Sequence, residues 1–157
     1  MRSLARFALF ASASLAVASP AAAQERELPY WASISAETAN MRAGAGERFP
    51  IEWVYTRPGL PVQVIRFHQG WRLVRDPDGA EGWIYASLLS ERRTAMVTGE
   101  GLAPMRDAGS AGATLRWNLE PGVIGELGTC AGGWCQLDVE GHRGWVEQAR
   151  LFGAEEA

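Results

Sequence analysis

The side chains in this sequence with the strongest claim to chemistry are two cysteines and two histidines, and their spacing restricts what they can do. Cys130 and Cys135 bracket Ala131-Gly132-Gly133-Trp134. Two thiolates without a histidine pair at matching spacing supply too few ligands for a closed tetrahedral zinc site. A redox pair is expected as Cys-x-x-Cys at a helix start, where the thiolate is favoured, and that setting is missing. A disulfide across the Gly-Gly turn is therefore expected, since the turn brings the two β-carbons toward bridging distance. Closing so short a loop stabilises by about 2 kcal/mol in the chain-entropy description. His68 and His142 occupy unlike positions and belong to no recognisable triad, so each reads as a solvated or hairpin-edge residue. The carboxylates are scattered, and Asp76-Pro77-Asp78 reads as turn chemistry rather than as a paired acid and base.

All fifteen basic residues are arginine, which removes Schiff-base lysines and phosphate-loop lysines from consideration. Gly99-Glu100-Gly101 and the stretch 108–112 are glycine-rich but lack phosphate-loop spacing, so they read as loops. No catalytic residue, metal or cofactor is expected. A hydrolase using carboxylates in a cleft between units ranks behind the binding readings below, and would need two acids at catalytic spacing in a concave pocket.

Composition places the chain among globular proteins: 47% of its 157 residues are hydrophobic and 21% are charged. The N-terminus has a separate logic. Arg2 and Arg6 precede an apolar run of about eleven residues from Phe7 to Val17, and Ala21-Ala22-Ala23 follows as a cleavage site, the layout of a secretory signal peptide over residues 1–23. The run is too short for a membrane span, which needs roughly twenty apolar residues. No Arg-Arg pair precedes it and no cysteine follows it, so neither the twin-arginine route nor a lipid anchor is indicated. Cleavage near Ala23 removes two arginines and takes the formal charge from −3 to −5. The expected location is periplasmic or secreted, and the acidic balance offers no footprint for nucleic acid.

The elements that must position these residues show themselves as a repeat. Met41-Arg42 recurs as Met105-Arg106, Trp53 as Trp117, Pro58-Gly59 as Pro121-Gly122, Gly70-Trp71 as Gly133-Trp134, Gly82-Trp83 as Gly144-Trp145, and Leu89 as Leu151, at an offset of 64 to 62 residues. Each unit is about sixty residues long, near the lower limit for independent folding. Within it, short apolar and β-branched runs alternate with Gly, Pro and Asp, the pattern of consecutive hairpins, and no helical periodicity is sustained. The polar stretch 90–94 between the units is short, so the two should touch and any cleft between them is a candidate site.

Asn40-Met41-Arg42-Ala43-Gly44, Gly70-Trp71, Asp78-Gly79-Ala80-Glu81-Gly82-Trp83-Ile84 and Leu88-Leu89 together resemble the bacterial Src-homology-3 (SH3-like, SH3b) pattern. That pattern is an Asn-(apolar)-Arg start, a Gly-Trp strand, and a later Gly-Trp-(apolar) strand. The second unit departs from it, with Pro104 in place of the asparagine and Asp107 in place of a small residue. The resemblance covers residues about 33 to 152. It implies an all-β fold of two tandem small antiparallel barrels, over 33–89 and 95–152, with about five strands each, and a role in binding or targeting rather than chemistry.

The two units differ in their aromatic residues: Tyr55 and Tyr85 in the first stand where the second has Leu119 and Glu147. Trp71, Tyr55 and Tyr85 are therefore expected to line a ligand groove in the first unit, with Arg42 as a carboxylate contact. The bland alternative is that Trp71, Trp83, Trp134 and Trp145 only fill the barrels. The leading expectation is a non-catalytic binding or adaptor module for a cell-wall peptide or an envelope protein. The alternative is a spacer or oligomerisation element with no discrete ligand; the sequence does not set the oligomeric state.

Overall fold

The computed structural model describes residues 26–156, and the expected leader lies outside the described residues. The first unit is built from β1 (Tyr30–Ile34), β2 (Ala39–Arg42), β3 (Ile51–Tyr55), β4 (Pro61–His68), β5 (Trp71–Arg75), β6 (Glu81–Tyr85) and β7 (Leu89–Ser90). The second repeats it with β8 (Thr94–Val97), β9 (Ala103–Arg106), β10 (Leu115–Leu119), β11 (Ile124–Ala131), β12 (Trp134–Val139), β13 (His142–Glu147) and β14 (Leu151–Phe152). The strand orders are β3-β2-β6-β5-β4-β1-β7 and β10-β9-β13-β12-β11-β8-β14, the same antiparallel topology twice. Two strands per unit add to the five or so expected from spacing: the lead strand, and a two-residue strand that follows a 3-10 turn at Ala86–Leu88 or Gln148–Arg150.

Turn residues set the register. Gly132 and Gly133 both take positive φ, at 59° and 81°, and join β11 to β12 with two residues. Glu140 and Gly141 do the same between β12 and β13, at 52° and 88°. Positive φ at both central positions matches the twist of the flanking strands, so such hairpins close without splaying. Bulges fall at corresponding places, between Val64 and Arg66 in β4 and between Leu127 and Cys130 in β11, where the sheet must bend to wrap its core.

Apart from Tyr55 in the first and Cys135 in the second, the cores are aliphatic. Val62, Val64, Val74, Ile84, Met41 and Ala39 fill the first, and Leu137, Val146, Met105, Val97 and Ala103 the second. Alternation along β6 and β13 turns Ile84 and Val146 inward, so the preceding Trp83 and Trp145 face outward and are only half-buried. Trp71 and Trp134 are half-buried as well. The indoles therefore do not fill the barrels. An interior this narrow is packed with methyl and methylene groups instead.

The units share a packed seam. In β1 the residues from Trp31 to Ile34 are all buried, which an alternating strand achieves only if both faces are covered. The inner face meets its own core, while Trp31 meets Phe152 of the other unit edge-on at 5.0 Å between ring centroids. The two Pro-Gly turns add main-chain contacts across the seam: Thr94 Oγ1 donates to the Gly59 carbonyl at 2.7 Å and Arg57 Nη2 to the Gly122 carbonyl at 2.7 Å. Ile124 and Met96 of the second unit pack against the core of the first.

This seam makes unfolding of the two units cooperative. Trp31→Ala is expected to cost about 3 kcal/mol or more and to divide a single denaturant transition into two, one per unit, when followed by far-UV circular dichroism and intrinsic fluorescence.

Candidate functional site

Three of the four residues expected to line a groove are brought together in the first unit. Arg42, Trp71 and Tyr85 border a depression of about 210 Å³ with Asn40, Glu47 and Leu88. Trp71 and Tyr85 are directly paired across β5 and β6, and their rings meet edge-on at 5.3 Å. The Tyr85 ring lies where Gly70 has no side chain, since a Cβ there would come within 2.6 Å of its Cε2. That contact explains the Gly-Trp pair: the glycine gives the tyrosine its place and the tryptophan packs beside it. Tyr85 keeps 47% of its surface exposed.

Arg42 has a further role that the spacing does not disclose. Its Nη1 donates to the main-chain carbonyls of Glu47 and Phe49 at 3.0 and 2.8 Å. The repeated Arg106 does likewise to Ala113 at 2.8 Å. Both arginines clamp the loop that follows their strand, so this face of the Arg42 guanidinium is committed to structure rather than free for a carboxylate.

Tyr55 does not line the groove, which corrects the expectation for that residue. It is the one buried residue of an otherwise exposed β3, and it belongs to the core. Its hydroxyl donates to Asp76 Oδ2 at 2.8 Å. The other oxygen of Asp76 accepts the N–H groups of Asp78 and Ala80 at 3.0 and 2.8 Å, so this buried carboxylate organises the 76–80 turn and anchors the tyrosine together. Burial, reinforced by the Asp76 hydrogen bond, pushes the Tyr55 phenol far above its ordinary range. At the corresponding positions the second unit has Leu119 and Val139, both packed with its core, an apolar pair in place of the hydrogen-bonded one.

Cys130 and Cys135 form the expected disulfide and face each other directly across β11 and β12. His68 ends β4 and His142 begins β13, both beside hairpin turns, and the His142 ring meets Trp117 edge-on at 5.2 Å. Among the described residues no group of three or more His, Cys, Asp or Glu is arranged to hold a metal ion.

A larger depression than that of the first unit lies elsewhere, on the outer face of the second unit. About 500 Å³ is bordered by Trp145, Gln136, Asp138, Arg143, Glu126 and Asp107 among others. A neighbouring depression of about 490 Å³ at the seam shares Glu126, Asp138 and Arg143 with it and continues to Arg92 and Pro58. The carboxylates here are engaged: Asp138 with Arg143 at 2.6 Å, Glu126 with Arg92, and Asp107 with the Thr114 N–H at 2.9 Å. The Arg143 hydrogen bond, helped by the Gly141 N–H, holds the Asp138 carboxyl below the usual carboxylate range. Asp138 therefore stays ionised and acts as an acceptor, not as a proton donor. Sequence reasoning missed this face. Its signal lay in the repeat alignment, where Ala43, Leu73 and Arg66 become Asp107, Gln136 and Thr129.

A family model described as bacterial SH3 domain matches residues 35–91 and again 99–153. No curated protein matches the chain. Among solved structures, NlpC2 and NlpC1 from Trichomonas vaginalis are similar at 10% identity and a TM-score of 0.37, each covering 82% of this chain. The matched region spans 49% and 47% of those two chains, about half their length. Among the described residues no helix is long and apolar enough to cross a membrane.

The Tyr55–Asp76 pair has a pH signature. Because the folded state favours the neutral phenol, its stabilisation is complete below the ordinary tyrosine value of about 10 and is lost as pH rises above it, when the unfolded chain ionises first. Tyr55→Phe is expected to cost about 1 to 3 kcal/mol at neutral pH by leaving Asp76 short of a donor. It should also flatten the fall in stability above pH ~10. Urea melts of both proteins across that range measure both effects.

Proposed function

From the premise that the chain belongs to the bacterial SH3 domain family, we propose that it is a non-catalytic binding module of the cell envelope, engaging a cell-wall peptide or an envelope protein through the Trp71–Tyr85 groove. Bacterial SH3 domains are binding modules. The observation that carries the assignment is the Trp71–Tyr85 pair itself. A large aromatic ring left half in solvent, seated on a glycine and braced by an indole, is a rigid apolar platform with a polar tip. The adjoining Asn40 and Glu47 offer hydrogen-bond partners, and Glu47 favours a ligand with an amine or amide N–H at that end.

The export expected from the N-terminal residues fits the same reading. The signal sequence over 1–23 would deliver the protein to the periplasm or beyond, and a Cys130–Cys135 disulfide persists in an oxidising compartment rather than in the cytosol.

A second reading, self-association, is favoured by one observation. The edge strand β3 pairs on one side only and exposes Ile51, Trp53 and Val54, with Phe49 beside them. Sedimentation at tens of micromolar separates the two, because a monomer that still binds its partner leaves only the first.

The groove assignment is tested by co-sedimentation with purified peptidoglycan and by crosslinking to envelope proteins. Tyr85→Glu introduces the residue the second unit carries at this exposed position. It is expected to weaken partner binding about tenfold, roughly 1.4 kcal/mol, with an unchanged unfolding midpoint. Equal binding by the variant would remove the groove from consideration.

A further inference from the structure

We propose that the outer face of the second unit, over Trp145, is a separate binding site for an uncharged oligosaccharide. The inference does not depend on the groove of the first unit. It rests on two copies of one scaffold that present different chemistry at the same positions.

In the first unit the row across the outer face runs Arg66, Leu73, Trp83, each paired with the next across β4, β5 and β6. The Arg66 guanidinium lies over the Trp83 ring at 5.5 Å from its centroid and covers it. The second unit keeps the tryptophan, still half-buried and with Gly109 against one edge of its ring, but has no arginine in the place of Arg66. Gln136 pairs directly with Trp145, and the bulged strand opposite supplies Gly128 and Thr129 where the first unit has Ile65 and Arg66. Gly128 lies against Gln136, since a Cβ there would come within 3.0 Å of the Gln136 Cβ. The adjacent row is inverted in charge: Arg75–Glu81 at 2.7 Å becomes Asp138–Arg143 at 2.6 Å. Asp107 then stands at the border where the first unit has Ala43. The result is the depression of about 500 Å³ described above.

These groups suit a sugar. An indole offers a flat apolar surface to the C–H face of a pyranose ring. Around it Gln136 both donates and accepts, while Asp138 and Arg143 present an acceptor beside a fork of donors, a match for vicinal hydroxyls. The site lies mid-sheet, where β12 and β13 pair continuously from Trp134–Glu147 to Val139–His142 and only the short bulge of β11 between Leu127 and Cys130 interrupts the ladder. Recognition must then come from side chains, which disfavours an extended peptide that binds by adding a strand. With Asp138 paired to Arg143 and Glu126 to Arg92, Asp107 is left as the acidic excess at the border, which disfavours an anionic sugar. Continuity with the depression at the seam gives room for several sugar units in a row.

The test uses the full folded protein and isothermal titration with three probes: chitotetraose and cellotetraose as neutral oligosaccharides, tetragalacturonate as an anionic one. Binding of at least one neutral probe at roughly millimolar affinity or tighter is expected, with none by tetragalacturonate. Thr129→Arg and, separately, Gln136→Leu each install the residue of the first unit and are expected to weaken that binding about tenfold or more. Tyr85→Glu should leave it unchanged, so failure of this site and failure of the groove are distinguishable. The proposal is overturned if neither neutral probe binds, if tetragalacturonate binds as well as they do, or if both second-unit variants bind like the parent.

Discussion

Each sheet has its weakest ladder where a methionine side chain lies over a glycine. The ladder between β2 and β6 is a single pair, Arg42 with Trp83, and its counterpart between β9 and β13 is Arg106 with Trp145. So short a ladder cannot hold the two parts of the sheet together alone. The space is filled by Met41 over Gly82 and by Met105 over Gly144, where a Cβ on either glycine would overlap the methionine Cγ. Neither glycine has a positive φ, so the requirement is room rather than backbone freedom. This seat accounts for the most persistent feature of the repeat, a Met-Arg pair matched to a later Gly-Trp pair. Methionine fills the core, arginine clamps the following loop, glycine makes room, and tryptophan is left facing outward.

The inward face stays apolar while its residues change size, Val62, Val74 and Ile84 becoming Gly125, Leu137 and Val146, and polar groups are exchanged in pairs. The buried Tyr55–Asp76 hydrogen bond has become Leu119 and Val139, both partners altered together, as expected when leaving either one alone would strand a buried polar group. Arg75–Glu81 has become Asp138–Arg143 with its polarity reversed and its cross-strand register kept. Tyr85 and Glu147, or Arg66 and Thr129, occupy exposed positions, and there the units differ in chemistry. One unit sets Trp71 and Tyr85 beside a depression, the other a half-buried Trp145 among polar groups, and the seam built on Trp31 joins them.

The architecture was legible because its constraints are local. Turn glycines, the Met-Gly seat and the Gly-Trp pairs recur in step, and the cysteines flank a two-residue turn that leaves them opposite each other. The half-buried state of the indoles was not legible. A sequence shows that tryptophan is large and apolar, whereas the width of a seven-stranded sheet decides that valine, isoleucine and methionine fill it. Tyr55 was misplaced because its partner lies 21 residues away and looked fully used by its turn. Trp31 carried no repeat signal, since it is buried by the other unit rather than by its own. The polar surroundings of Trp145 were visible in principle, but only by asking what each unit lacks relative to the other.

The most direct measurement is a double-mutant cycle on the seat, with Met41→Ala, Gly82→Ala and the pair compared by equilibrium urea unfolding. Each single change should destabilise, the glycine variant by about 1 to 3 kcal/mol through overpacking. If the seat governs this junction, the shortened methionine makes room for the new methyl group, and the pair should cost less than the two singles together by about 1 kcal/mol or more. Strict additivity, or a Gly82→Ala protein as stable as the parent, would contradict the claim that this contact holds the β2–β6 junction together.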